Sequence, residues 1–293
     1  MKKKSIFGAS FEESLNLEDD GFVQFYKQEQ DEKIKNLPKN RYSSFKIKFI
    51  SLLLTFLFPI CLNFMVIPIL MILRDSENTT LPILEQELLT VHVYLVCLLV
   101  WLVLVLIGKM FKQEYLFPYR FHFHTVTYLL WLILEINLAG IEVALPTLTG
   151  WGFLLAVILI VFLGYWMLKM RYRNIIERLY GEKFEVTKMD KVSKSLSVYG
   201  VGILGSLVLI KQFSQLIIGD VPKSLTGLGL LLFWFVLNIG FIAMLIYMEF
   251  PYFLQAYYKW KYPEEYREWE GKSLEDWYGK RYLKKHKELL ENE

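Results

Sequence analysis

Apolar residues fall into six long runs, covering 49–73, 88–108, 125–148, 150–168, 196–219 and 224–248. An α-helix of about 20 apolar residues crosses a bilayer core of roughly 30 Å. The runs are apolar on every side rather than alternating, so a transmembrane β-barrel is not expected. The pattern predicts an all-α polytopic membrane protein, a bundle of six transmembrane helices. Pro59 and Pro68 interrupt the first run, where neighbouring helices can satisfy the freed carbonyls and either proline can kink the helix. Three parts follow: a charged tail over 1–48, a six-helix transmembrane domain over 49–249, and an amphipathic tail over 250–293.

Charge orients the bundle. The chain carries 33 Lys and Arg against 30 Asp and Glu, a net charge of +3 that gives no ground for nucleic-acid binding. Six spans place thirty of the 33 Lys and Arg on one side, with only Arg74 and Lys223 on the other and Lys211 inside the fifth run. Lys and Arg concentrate in cytoplasmic loops. Both termini are therefore expected in the cytoplasm of a cell membrane, of the bacterial plasma-membrane kind. The first 48 residues are polar, so the first apolar run, not a cleavable leader, is expected to direct insertion.

Both tails have their own pattern. Residues 1–48 mix both charges with Gly8, Gly21 and Pro38, which predicts a solvated and partly disordered tail. Phe22, Phe25 and Tyr26 lie near helical spacing and allow part of it to rest on the membrane or the bundle. The loop over 109–124 is dense in rings and suits the headgroup layer, and 169–195 reads as a basic loop. Ser273-Leu-Glu-Asp276 reads as a capped helix start, and the apolar positions after it predict one amphipathic helix over about 274–290. Trp277, Lys280, Arg281, Lys284 and Lys285 are its candidate contacts to anionic lipid or a partner.

The candidate chemistry sits inside the third run. Glu135 falls near the midplane, and Glu142 lies seven residues further out on the same face, with Ala139 between them. Ionisable groups at such depth are costly and face a partner or a water-filled path. Lys211, in the fifth run, falls between the two in depth and is the expected partner of one of them. Gln215 shares its face, and Asn63 and Asn238 fall near the midplane of the first and sixth runs. This polar layer reads either as a pathway or as a structural ion pair; an outer Glu142 that simply reaches water is the plainer alternative. Gly200, Gly202, Gly205 and Ser206 thin one side of the fifth run for close helix packing. Gly200-Val-Gly202-Ile-Leu-Gly205 has the letters of a dinucleotide fingerprint but no preceding strand.

No other motif carries chemistry. His122-Phe-His124 points its imidazoles to different helix faces and predicts no metal site. Cys61 and Cys97 read as small apolar residues. There is no phosphate-binding loop, no serine-nucleophile elbow and no zinc-protease motif. Glu264-Glu265 opens like the motif of CAAX-type intramembrane proteases, but no Arg follows at the needed spacing. The expectation is a protein that is not an enzyme and holds no cofactor. The layout resembles small six-helix permease subunits and multi-span immunity proteins of Gram-positive bacteria, in architecture and composition and without a shared motif. Two functions follow. One is a transport component, a permease or channel-like subunit relying on a cytosolic ATPase or another membrane subunit. The other is a non-transporting immunity or regulatory protein that protects against or senses a membrane-active agent. Self-association is compatible with either, and an intramembrane enzyme is a distant third.

Overall fold

A computed structural model describes residues 4–35, 49–50, 53–54, 56–75, 83–109, 113–147, 150–181 and 223–291. The described residues are helical, with no strand among them. Two short elements come first: α1 (Phe11–Leu15) and α2 (Gly21–Lys35). A π-helical segment (Phe56–Leu62) runs into α3 (Asn63–Asp75). The long helices follow: α4 (Val91–Gly108), α5 (Phe117–Thr147) and α6 (Gly150–Tyr180). Next, α7 (Lys223–Met244) continues through a second π segment (Leu245–Glu249) into α8 (Phe250–Lys261). Four small helices close the chain: α9 (Pro263–Trp269), α10 (Leu274–Tyr278), α11 (Lys280–Leu283) and α12 (Glu288–Glu291).

Among the described residues, four helical stretches are long and apolar enough to cross a membrane: Val91–Gly108, Glu114–Pro146, Gly150–Tyr180 and Leu231–Lys261. The first expected span corresponds to a shorter apolar helix, Phe56–Ile72. The fifth expected span lies outside the described residues, and with it Lys211, Gln215, Gly200, Gly202, Gly205 and Ser206.

The long helices outrun the bilayer. At ~1.5 Å per residue, the 31 residues of α5 and of α6 extend roughly 45 Å, well beyond a hydrocarbon core. The stretch that reads as the start of a basic loop at 169 is instead the last three turns of α6. Those projecting turns carry the largest buried cluster of the described chain. Ile175, Ile176 and Leu179 of α6 meet Leu254 and Tyr258 of α8, Ile6, Ala9 and Leu17 from the N-terminal segment, and Tyr266, Leu274, Trp277 and Tyr278 from the C-terminal one.

Over residues 4–28 the N-terminal tail is therefore docked on the bundle, the alternative to a solvated tail, with Tyr26 buried. Ser10 caps α1 with a reciprocal bond to Glu13, and Ala9, Leu17 and Val23 are buried. The amphipathic helix expected over 274–290 is also corrected. It breaks into three short helices, because Gly279 turns the backbone at φ +84° between α10 and α11, a conformation that favours glycine. The predicted start is found: Ser273 accepts a hydrogen bond from the Asp276 amide (3.1 Å).

Candidate functional site

Polar side chains inside the apolar helices form three groups, at the end bearing Arg74, in the middle, and at the opposite, basic end. At the first, Glu142 of α5 is fully buried. One of its oxygens accepts from the amides of Leu88 (2.7 Å) and Leu89 (2.9 Å), and the other from Arg74 at the end of α3 (2.8 Å). Its own carbonyl accepts from the Leu84 amide (2.9 Å). Arg74 is also paired with Glu87. Glu142 thus ties the α3–α4 connection to α5. Its carboxylate is buried rather than open to water, and three donors, one of them a guanidinium, already hold it.

The middle layer lies between α3, α4 and α5. Glu135 is fully buried, and the Trp131 indole N–H donates to its Oε1 at 2.5 Å. Its Oε2 has no hydrogen-bond partner, and Glu135 makes no ion pair among the described residues. Trp131 packs against Tyr94 (centroids 5.6 Å apart) and Trp101 (5.7 Å). The Tyr94 hydroxyl donates to the Ile60 carbonyl in the first π segment (3.2 Å). Asn63, at the first turn of α3, is fully buried with neither side-chain atom hydrogen-bonded, and the Trp101 indole N–H is likewise unmet. Each buried unsatisfied group costs roughly 1–3 kcal/mol. Cys61 and Cys97 are free and half-buried, and no group of three metal-ligating residues occurs among the described residues.

Asn238 sits apart from this layer. It donates to Asn137 (2.8 Å), as does the Trp234 indole (2.7 Å), so Asn137, Trp234 and Asn238 clamp α5 to α7. The clamp depends on Gly140, where an added Cβ would lie 2.4 Å from the Trp234 ring. Asn137 and Asn238 are thus structural partners of each other, whereas Glu135 and Asn63 face the opposite side of α5.

At the basic end, sequence reasoning missed most of what the structure assembles. Arg171 of α6 is buried and donates to Asp20 (2.9 Å) and to the Tyr247 carbonyl inside the second π segment (3.0 Å). Arg178 donates to the Asp19 carbonyl (2.8 Å). Tyr26 donates to buried Glu249 (2.7 Å), whose other oxygen lies 3.6 Å from His122. Gln255 links Tyr119 (2.9 Å) to Glu18 (2.5 Å). Lys259 pairs with Glu270 at 2.5 Å beside the Tyr266 and Trp277 rings. Burial pushes the Tyr266 phenol well above its usual range, so it stays neutral and bonded to Ser14 (2.9 Å). The signal that was available lies in α6. No Gly or Pro falls between Tyr165 and Tyr180, so nothing ends the helix at Arg171.

The remaining expected contacts divide. Trp277 is buried and stacked on Tyr115 (4.6 Å, 11° between planes), which makes it core rather than surface. Lys280, Arg281, Lys284 and Lys285 are exposed, with Lys280 paired to Glu275 (3.0 Å). His122 faces Tyr26 and Tyr252, while His124 packs against Gly108, on different faces of α5.

Four long apolar helices among the described residues, with buried polar groups paired across them, have the length and composition of a helical membrane protein. Comparison with protein-family models, with curated proteins and with solved structures finds no match.

Proposed function

We propose that the chain is a transport component, a permease or channel-like subunit with six spans and both termini in the cytoplasm. The observation that carries this reading is Glu135. It is fully buried in α5, with one indole donor and no cationic partner among the described residues. A purely structural carboxylate at such depth is expected to be neutralised by a partner, as Glu142 is by Arg74. A carboxylate left open inside a span marks the path of an ion or substrate. Glu135 takes up the charge of the cation that is moved or coupled. Uphill movement needs an energising partner, a cytosolic ATPase or second membrane subunit, which meets the exposed Lys280–Lys285 surface.

Downhill flux in proteoliposomes tests the chain alone. Glu135→Gln keeps an acceptor for Trp131 and so preserves the local packing. It should cut gradient-driven cation movement at least tenfold. Wild-type flux no greater than that of empty liposomes, or equal flux in the variant, overturns the reading. The first of those outcomes favours the immunity or regulatory role. That role draws support from the packed cap that the N- and C-terminal segments build at the basic end, which a transport path does not require.

A further inference from the structure

The register of three helices places the unmet polar atoms together. Arg74 and Glu142 lock α3 to α5 near the same end of both, so the two helices run in the same direction. Asn63 and Trp131 each lie eleven residues before their locked partner, at the same level, and Glu135 is one turn further along, about 6 Å. Leu89, bonded to Glu142, fixes α4, which runs the other way. Counting down α4 brings Cys97 level with Glu135, and Trp101 level with Trp131 and Asn63. The contacts agree. The Tyr94 ring meets both Phe64, the neighbour of Asn63 (5.3 Å), and Trp131.

This layer offers Glu135 Oε2 and Asn63 Oδ1, both buried and unpartnered among the described residues. It also offers the Ile60 carbonyl, which accepts from the Tyr94 hydroxyl on the same layer. Ile60 lies in the π segment Phe56–Leu62, and such π segments inside helices occur frequently at functional sites. Interrupted helices that turn backbone carbonyls toward a carboxylate inside the membrane are a recurrent way to hold a coupling cation. The chemistry narrows the ion. All three donors are oxygen and they carry one negative charge. A divalent ion takes six or more oxygens and usually several carboxylates, and a soft metal needs thiolates. Rings packed 5.6 and 5.7 Å apart leave little room for a bulky organic cation.

We propose that Glu135 of α5 and Asn63 of α3, with the Ile60 carbonyl, form a binding site for a small monovalent cation of the sodium class. The proposal rests on the transport reading of Glu135 and specifies its ion.

Trp101 and Trp131 lie in the layer, so intrinsic fluorescence reports on it. The purified full chain in detergent is titrated with NaCl against choline chloride at constant ionic strength and pH. A saturable response to sodium is expected, at least tenfold weaker for potassium. Glu135→Gln should abolish it, and Asn63→Leu should raise the half-saturating concentration at least tenfold. Thermal unfolding of the wild type should shift upward with sodium and not with choline. This second readout carries the test if Glu135→Gln does not fold. Three results overturn the proposal: no sodium-specific response or thermal shift in the monodisperse wild type, a response unchanged in Asn63→Leu, or a response to pH that is identical in sodium and choline. Sodium binding without flux keeps the site and sinks the transport reading. Flux that is indifferent to sodium keeps that reading and sinks the site.

Discussion

Arg74 and Glu142, 68 residues apart in the chain, meet at 2.8 Å, and the same carboxylate receives the amides of Leu88 and Leu89. Replacing Glu142 with Ala leaves the Leu88 and Leu89 amides unmet and leaves Arg74 with Glu87 as its remaining carboxylate. Each unmet amide costs roughly 1–3 kcal/mol, so the variant should unfold at clearly lower temperature in detergent. Glu142→Gln retains an acceptor for the amides and should lose less. Amide exchange at Leu88 and Leu89 should rise in the Ala variant. Wild-type exchange and melting in Glu142→Ala would contradict the clamp.

Asp20 and Arg171 should anchor the N-terminal segment. Both are buried, and removing one partner of such a pair typically costs about 3–5 kcal/mol. Asp20→Asn and Arg171→Met should each open residues 4–28 to limited proteolysis. The double variant should lose less than the sum of the two, because the second change removes a charge already stranded. Additive losses would show that the two residues act separately.

Gly140 gives Trp234 its seat. Gly140→Ala places a methyl group inside the indole contact and should displace Trp234 from Asn137, at a cost of about 1–3 kcal/mol. Its tryptophan emission should shift. Adding Trp234→Phe should recover part of the packing loss but not the hydrogen bond to Asn137.

Orientation is open to labelling. In a chain whose Cys61 and Cys97 are replaced by Ser, single cysteines at Glu85 and Lys284 occupy exposed positions near the two ends of the helices. An impermeant maleimide should label position 85 in intact cells and position 284 only after permeabilisation. The reverse pattern would invert the topology that the lysine and arginine distribution predicts.

The membrane class was legible because it depends only on run length and composition, as in 88–108 and 150–168. The common face of Glu135 and Glu142 was legible from helical spacing. Their partners were not. Arg74 reads as a loop residue after the first span, and only the return of the chain through Leu84–Leu89 brings it to Glu142. Asn238 reads as another member of the polar layer, yet it faces Asn137 on α7's side of α5. Docking of the N-terminal segment was legible only as an alternative at Phe22, Phe25 and Tyr26, because its apolar residues are few and spread among charges. Asp20 becomes a core residue only once α6 projects far enough to present Arg171.

The sequence by itself determined that this chain is helical and built for a bilayer, since hydrocarbon demands long, internally hydrogen-bonded apolar helices whatever packs beside them. It also named Glu135 as the costly residue. Only the tertiary structure decided that Glu142 is neutralised by Arg74 while Glu135 meets no cation among the described residues. That difference depends on which donors neighbouring helices bring within about 3 Å, a distance no spacing along one helix encodes.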